Sequence, residues 1–391
     1  MLNRNAAVSV DRVTTYDQTK IYFVLKERLS QLCPMFGELA GKNVMIKPNF
    51  VRKMKPEEAA TTHPSILIPL IRVLRDEGAN VLIAESPAGI YSESTLRSIY
   101  RVCGVDEAAE SAGAKLNFDT SYGSLSAPKG ESTKVFNVIS AVLQADLMIN
   151  LSVLKSHGLT TMSAACKNLF GLIPGVQKLE MHARFTEQLP FCNMILDLDE
   201  AVSDRVPTFC VCDAIIGMEG NGPTGGTPRE IGYILTSENP ANLDLVGEHI
   251  LGMDGKVEML REARRRGFCP ETFEELSLVG QMAPEPVKDF VMPESKTSML
   301  TFALTFGGGR FKRLFEPRPK IDKTKCIGCG ECHRSCPKST IEMKKGKNGK
   351  KVAKINDKNC IKCYCCQELC PHGAVKIHKN FILKIAEGLG K

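Results

Sequence analysis

The chain has 391 residues, is 43% hydrophobic and 24% charged, and carries a formal net charge of +7. Because this length exceeds the usual size of one domain, two or three domains with a large buried core are expected. The ordinary composition excludes extended disorder, and no apolar run has the length that a membrane span or a secretory signal requires. These features predict a folded cytoplasmic protein.

Predicted strands and helices alternate along most of the chain. One helix is predicted to begin near Pro64 with Thr62 or His63 at its cap, and others cover 94–103 and 191–204. Apolar strands are predicted at 44–50, with a break at Lys47-Pro48-Asn49, and at 80–86, 145–151 and 207–218. A further strand and helix are predicted within 233–252. The alternation predicts an α/β domain with a mostly parallel sheet and helices on both faces.

Polar clusters follow several of these strands directly. They are Lys47-Pro48-Asn49, Glu85-Ser86, Lys155-Ser156-His157 and the segment 213–219. In open α/β sheets, ligands bind beyond the carboxyl ends of the strands. The sequence therefore predicts one shared pocket at this edge of the sheet.

The stretch from Lys155 to His182 is the richest in candidate site residues. It combines lysines and two histidines with a Pro-Gly turn, and Ser163 is predicted to cap a short helix that holds Lys167 and Asn168. A single His or Lys is more often structural or solvated, but this grouping beside a strand end favours a site for a small carboxylate or phosphate. We assign catalytic roles to His157, Lys167, His182 and Glu219, and substrate binding to Lys47, Asn49, Lys155 and Asn168.

Glu219 is chosen as the carboxylate that supplies a proton or a metal ligand. The glycine-rich loop after it, 220–226, does not form the G-x-G-x-x-G pattern between a strand and a helix. A dinucleotide cofactor is therefore not predicted.

Nine of the 16 cysteines lie between Cys326 and Cys370. The run C-x2-C-x2-C-x3-C-P occurs twice there, and the similar segments 321–326 and 355–360 each begin one copy of an internal repeat. This is the ligand pattern of bacterial ferredoxins, and residues 321–380 resemble a two-cluster ferredoxin of α+β fold. Paired structural zinc sites are the less favoured alternative, since zinc does not need triple C-x2-C loops.

In this pattern the fourth cysteine of each run binds the other 4Fe-4S cluster. The resemblance implies Cys326, Cys329, Cys332 and Cys370 for one cluster, and Cys360, Cys363, Cys366 and Cys336 for the other. Cys365 has no ligand role in the pattern and is interpreted as a spare thiol. The seven scattered cysteines are interpreted as core residues. Because the other cysteines are spaced as metal ligands, the cysteine content of the chain favours a reducing, anaerobic compartment.

The positive charge is concentrated in the same region. Residues 321–391 carry 16 Lys and Arg against six Asp and Glu, whereas residues 1–320 carry 35 against 38. These lysines either offset the negative charge of bound clusters or form a docking surface for an acidic electron donor or acceptor protein. Nucleic acid is not favoured, because no aromatic-interleaved basic groove accompanies the charge.

The predicted domains are an α/β ligand-binding domain (1–293), a linker (294–320), the ferredoxin domain (321–380) and a C-terminal tail (381–391). Segments KPNF (47–50), ADLMINLSVLKSHG (145–158), KNLFGLIPG (167–175) and DAIIGMEGNGPTGG (213–226) together resemble the domain-of-unknown-function family three-six-two. Members of that family often carry a ferredoxin tail.

A more distant resemblance is to the nickel-pincer lactate racemase superfamily. It lies in the order His157, Lys167, Pro174-Gly175 and His182. It implies that Lys167 anchors an organic or nickel cofactor, that His157 transfers a proton or contacts substrate, and that His182 is a metal ligand.

Three functions remain open at this point. The favoured one is an iron-sulfur oxidoreductase whose clusters exchange single electrons with a small anionic substrate or cofactor in the α/β domain. The second is a racemase or isomerase with a lysine-tethered nickel cofactor. The third is a non-enzymatic electron carrier or maturation factor for a partner enzyme.

Overall fold

The computed structural model describes residues 2–280, 283–294, 317–345 and 349–378. Most of the predicted linker and all of the predicted C-terminal tail lie outside these ranges. Among the described residues, no helix has the length and apolar character needed to cross a membrane.

The strands are numbered in chain order. They are β1 (Val8–Arg12), β2 (Asn43–Lys47), β3 (Asn80–Ile83), β4 (Lys115–Leu116), β5 (Tyr122–Ser126), β6 (Val135–Ile139), β7 (Leu147–His157), β8 (Thr161–Ser163), β9 (Thr208–Glu219), β10 (Thr227–Ser237), β11 (Leu278–Gly280), β12 (Arg318–Ile321), β13 (Ile341–Lys345), β14 (Lys351–Ile355) and β15 (Val375–His378).

The α-helices are numbered in the same way. They are α1 (Gln18–Leu32), α2 (Pro64–Asp76), α3 (Glu93–Val102), α4 (Val105–Ala112), α5 (Ser140–Leu143), α6 (Ala165–Asn168), α7 (Gln177–Arg184), α8 (Gln188–Arg205), α9 (Pro240–Ile250), α10 (Glu258–Arg265), α11 (Glu331–Arg334) and α12 (Cys365–Glu368). Short 3₁₀ turns lie at Phe36–Glu38, Pro56–Glu58, Leu169–Leu172 and Phe273–Glu275.

One large sheet organises the chain from β1 to β11. Its strand order is β11-β1-β10-β9-β7-β2-β3-β4, with β8 paired to β7. Strands β9, β7, β2, β3 and β4 run parallel, whereas β10 is antiparallel to both of its neighbours. This arrangement confirms the predicted α/β class with a mostly parallel sheet.

Helices cover both faces because the buried strands are apolar on both sides. In β2, Met45 packs in one core cluster with residues of α8, α9 and α10, whereas Val44 and Ile46 pack in the other with residues of α1 to α4. Successive side chains of a strand point to opposite faces, so each strand contributes to both cores.

The predicted cap of α2 is confirmed, since His63 Nδ1 accepts a hydrogen bond from the backbone of Ser65. The predicted cap of α6 is wrong. Ser163 belongs to β8, and the carboxylate of Asp244 in α9 instead accepts from the backbone N–H groups of Ala165 (2.6 Å) and Cys166 (3.1 Å). A carboxylate from a distant helix therefore fixes the start of the helix that carries Lys167.

The C-terminal region forms a small α+β unit. Strand β12 pairs with β15, β13 pairs with β14, and helices α11 and α12 follow the two cysteine loops. The internal repeat is visible in the backbone, because Gly330 and Tyr364, at equivalent positions of its two copies, both have positive φ and precede these helices.

We expect Asp244→Ala to lower the free energy of unfolding by about 2–4 kcal/mol, because it leaves two buried N–H groups without an acceptor. Urea denaturation under anaerobic reducing conditions, followed by circular dichroism, measures this change. Asp254→Ala removes an exposed carboxylate and is expected to change the value by less than about 0.5 kcal/mol. Equal effects of the two variants would contradict the role of Asp244 as a cap.

Candidate functional site

The structure groups the eight predicted cluster cysteines into two sets. Cys326, Cys329, Cys332 and Cys370 line one small cavity, so the fourth cysteine of the second run lies with the first three of the other. The thiol of Cys360 has Cys363 and Cys336 among its charged neighbours, and that of Cys366 has Cys363, Cys360, Cys332 and Cys336. The crossing of the two runs is the arrangement that the ferredoxin pattern implies.

Backbone amides support both sets. Thr340 N–H donates to Cys336 Sγ (3.3 Å), and Ala374 N–H donates to Cys370 Sγ at the equivalent place in the repeat (3.2 Å). Four soft donors in each set, with hydrogen bonds to sulfur, fit 4Fe-4S clusters.

A second cavity, of about 70 Å³, lies at the carboxyl ends of β2, β3 and β7. A water molecule needs roughly 10–15 Å³ of such volume, so the space admits several waters or a small anion. We call it the lysine cavity. Its polar lining includes Asn49, Glu85, Ser86, Lys155, His157, Ser163, Lys167, Asn168, Lys178, His182, Cys365 and Glu368.

Two of its lysines are held by neutral acceptors. Lys155 Nζ donates to Asn49 Oδ1 (2.5 Å) and to the carbonyl of Ala60 (2.6 Å), while Lys178 Nζ donates to the carbonyls of Ser86 and Ile173. Burial lowers the pKa of each lysine to about 7. Each of these amino groups can therefore gain or lose a proton near neutral pH.

Lys167 is held differently. Its Nζ lies 4.7 Å from the ring centre of Phe170 and 5.8 Å from that of Phe191, so two aromatic rings border the amino group. The carboxyl group of Glu368 is its strongest electrostatic neighbour. Burial lowers the pKa of Lys167 as well. The side chain thus presents a cation, or a nucleophilic amine once deprotonated, to the lysine cavity.

The protonation of His157 follows from its hydrogen bonds. Its Nδ1 accepts from the backbone N–H groups of Leu159 (3.1 Å) and Thr160 (3.3 Å), which places the ring proton on Nε2. Nε2 lies 3.6 Å from Glu368 Oε1, and burial raises the pKa of that carboxyl group. A proton is therefore available where the two side chains meet.

His182 is buried to 4% exposure and stacks on Phe191 with the ring centres 4.6 Å apart. Burial lowers the pKa of His182 to about 3, so the ring is neutral at ordinary pH. Among the described residues, its Nδ1 has no hydrogen-bond partner. An open imidazole nitrogen of this kind suits a metal or a hydrogen-bond donor of a ligand.

The predicted substrate-binding residues Asn49 and Asn168 line the cavity, and Lys47 lies behind them. Asn168 accepts from Asn49 Nδ2 (2.8 Å) and from Lys47 Nζ (3.3 Å). Lys47 is fully buried, forms an ion pair with Glu85 and is not part of the cavity lining. Lys47 therefore orients Glu85 and Asn168 rather than facing the open space.

Glu219 is not brought to the lysine cavity. Its carboxylate accepts from Val291 N–H (3.1 Å) and lies 3.7 Å from Arg229. Met218 is paired in register with Lys155, so the next residue of β9 points to the opposite face of the sheet. Glu368, not Glu219, supplies the carboxylate beside His157.

Among the charged lining residues, Lys178 and Glu368 were not predicted from the sequence, and Cys365 was given no role. Glu85 lines the cavity as predicted from its place after β3, and Lys178 was visible as a third lysine in the stretch up to His182. No local signal marks Glu368 or Cys365, because they reach the cavity only through the packing of α12 on the large domain. Gln367 Nε2 donates to the carbonyl of Asn221 (2.8 Å) in this contact.

The lysine cavity is lined by more basic than acidic side chains. Lys155, Lys167 and Lys178 face it with the carboxylates Glu85 and Glu368, while Lys47 lies behind. Buried charge is costly unless it is paired, so a small anion would complete the site. Among the described residues, no three His, Cys, Asp or Glu side chains are arranged to hold a single metal ion.

Comparisons with known proteins match two sequence families in the chain. The sequence model described as a domain of unknown function (DUF362) matches residues 44–248, and that of the 4Fe-4S dicluster domain matches residues 325–374. A thylakoid-associated protein of Synechocystis sp. is 26% identical over 276 residues, which are 68% of this chain and 82% of that protein.

Among solved structures, the lactate racemase apoprotein from Thermoanaerobacterium thermosaccharolyticum aligns with a TM-score of 0.41 and 15% identity. The alignment covers 64% of this chain and 58% of the racemase chain, and at this score it carries no argument about activity. The family match spans more than half of the 391 residues and confirms both predicted parts of the fusion. The chain therefore belongs to the DUF362 family and carries a 4Fe-4S dicluster domain.

Proposed function

We propose that this protein is an iron-sulfur oxidoreductase that exchanges single electrons with a small anion in the lysine cavity. One observation carries the proposal: α12, which contains the cluster cysteine Cys366, also forms a wall of the cavity through Cys365 and Glu368. When bound, the two clusters supply low-potential one-electron transfer.

The lysines give the cavity its ligand class. Inside a water-poor site, interactions between charges are stronger than in water, so Lys155, Lys167 and Lys178 together favour a carboxylate or another small oxyanion. The apolar walls from Phe170 and Leu369 exclude water around it. The site therefore favours a compact anion over a neutral molecule.

Protons must accompany electrons if charge is not to build up on the ligand. His157 holds a proton at Nε2, and Glu368 lies beside it on the wall formed by α12. We assign this pair to proton delivery during reduction and proton removal during oxidation.

Electrons are proposed to enter or leave at the other cluster. A lysine-lined groove borders the cavity of the first cysteine set, and Ile321 and Ala353 line both spaces. The groove carries Lys320, Lys323, Lys344, Lys345, Lys350 and Lys354 against Asp357. Its charge fits an acidic electron-carrier protein.

A second candidate function is a racemase or isomerase with a lysine-tethered nickel cofactor. Two observations favour it: Lys167 has a lowered pKa suited to covalent attachment, and His182 offers an open ring nitrogen. A third candidate, an electron carrier without a substrate, lacks a use for the lysine cavity.

Metal analysis with intact-mass measurement on anaerobically purified protein separates the first two candidates. We expect about eight irons and eight sulfides per chain, as two 4Fe-4S clusters require, with no nickel and no added mass on Lys167. Nickel together with added mass on Lys167 would replace the oxidoreductase by the racemase-like enzyme.

We expect Lys167→Ala to weaken anion binding by roughly 10- to 100-fold with the clusters intact, since a charged hydrogen bond is worth about 1.5–3 kcal/mol. Isothermal titration calorimetry with a panel of small carboxylates, phosphate and sulfate measures the affinity, and iron content checks the clusters. Lys256→Ala changes charge equally at an exposed position and should leave affinity unchanged. If the Lys167→Ala variant binds anions as tightly as the wild type does, Lys167 is not part of the site. If the wild type binds no anion, the electron-carrier function is favoured instead.

Anion binding should also depend on pH. Because burial lowers the pKa of Lys155 and Lys178 to about 7, both are charged below this pH and neutral above it. Affinity for an anion of constant charge, such as sulfate, should fall about tenfold or more from pH 6 to pH 8, since about a tenth of each ammonium stays charged one unit above its pKa. A flat profile, or tighter binding at pH 8, would contradict the assignment.

A further inference from the structure

The wall that α12 contributes to the lysine cavity lies between cluster ligands. Cys365, Glu368 and Leu369 line the cavity on this side. Cys366, of the second cysteine set, directly follows Cys365, and Cys370, of the first set, directly follows Leu369. The two cysteine sets therefore hold the wall at both of its ends.

This wall has little stability of its own. Helix α12 has only four residues, and the residue before it, Tyr364, has a φ of 60°, in the left-handed region that favours glycine. A helix of this length is not stable alone in water, because its nucleation is costly. In small metal-binding domains, the free energy of metal binding is also free energy of folding. We therefore expect bound clusters to keep α12 in place.

The contact between α12 and the α/β domain consists of specific hydrogen bonds. Thr224 Oγ1 donates to the carbonyl of Glu368 (3.0 Å), and Gln367 Nε2 donates to the carbonyl of Asn221 (2.8 Å). Gly225 permits this approach, since a Cβ there would lie 2.5 Å from Gln367 Nε2. Single hydrogen bonds of this kind add only modestly to stability. They can align α12 on the cavity, but they do not replace the clusters in holding it.

Burial of this turn is specific to the second half of the ferredoxin repeat. The alignment of 321–326 with 355–360 makes Cys365 and Glu368 the equivalents of Glu331 and Arg334. The side chains of Glu331 and Arg334 are 37% and 59% exposed, whereas Cys365 is 2% exposed and the side chain of Glu368 is 12% exposed. The same backbone thus meets water in one half and closes the lysine cavity in the other.

We propose that the clusters regulate the lysine cavity: it binds its anion only while the cysteine sets hold their clusters, and a bound anion in turn slows cluster loss. The second effect follows from the first, because two ligands that bind the same folded state stabilise each other's binding equally. A chain without clusters would then leave its anion unbound. This inference rests on the proposed function in taking a small anion as the ligand of the cavity.

Hydrogen exchange with mass spectrometry tests the first effect without any anion. The full chain is compared with its clusters and after their anaerobic removal by a chelator. We expect the amides of 220–226 to exchange roughly tenfold faster or more without clusters, because this segment loses its contacts with α12. Amides of β2 and β3 should keep their rates. Unchanged exchange at 220–226 would overturn the proposal, and so would equally faster exchange in β2 and β3, since the clusters would then support the whole fold.

The rate of cluster loss to an iron chelator, followed by visible absorbance at constant ionic strength, tests the second effect. Sulfate at ten times its Kd should slow the loss about tenfold, because only the anion-free fraction releases α12. A rate independent of sulfate, in protein that binds sulfate, would overturn the coupling. If the loaded protein binds no anion, the proposed function fails, and the exchange experiment still decides whether the clusters hold α12.

A matched pair of variants separates this contact from general stability. Thr224→Val removes the hydroxyl donor and keeps a similar shape, so it should speed cluster loss and reduce the effect of sulfate. Thr227→Val makes the same change at an exposed residue at the start of β10 and should alter neither. Equal behaviour of the two variants would contradict the role of the α12 contact.

Discussion

Buried lysine charge at the carboxyl ends of parallel strands is the constraint on which the rest of the site depends. Removing an ammonium group from water costs several kcal/mol unless acceptors replace the lost hydration. The chain supplies these acceptors from several elements: the carbonyl of Ala60, the amide of Asn49 and the carboxylate of Glu85. Gly171 belongs to the same arrangement, because a Cβ there would lie 2.2 Å from Glu85 Oε1. The lysine side chains are thus held in position before any ligand enters.

The same constraint explains why the ferredoxin segment contacts this edge of the sheet. Glu368 approaches His157, and its Oε1 has no hydrogen-bond partner among the described residues. The contact is secured by Gln367 to the carbonyl of Asn221 and by Thr224 to the carbonyl of Glu368 (3.0 Å). The glycine-rich loop, which lacks a nucleotide-binding pattern, therefore serves as a docking surface for α12.

Sequence patterns predicted the parts of the fold that are determined by residues close together in the chain. The apolar strands, the end of β2 at Lys47 and the His63 cap follow from hydrophobic runs and capping chemistry. The cap of α6 could not be found in this way, because Asp244 is 79 residues from Ala165. The error at Glu219 has a different cause: the last residue of a strand that ends at the site can still point away from it, since side chains alternate between faces.

The internal repeat shows how one backbone can carry two different surfaces. Gly330 and Tyr364 adopt the same left-handed conformation although only glycine adopts it without steric cost, and Tyr364 is held by a hydrogen bond to the carbonyl of Pro317 (3.0 Å). After this point Glu331 and Arg334 are a surface ion pair, whereas their equivalents Cys365 and Glu368 line the lysine cavity. A separate ferredoxin would expose that cysteine and that acid to water. Their burial against the lysines therefore argues that the second half of the repeat is adapted to the α/β domain, and that the cavity exists only when both parts of the chain are present.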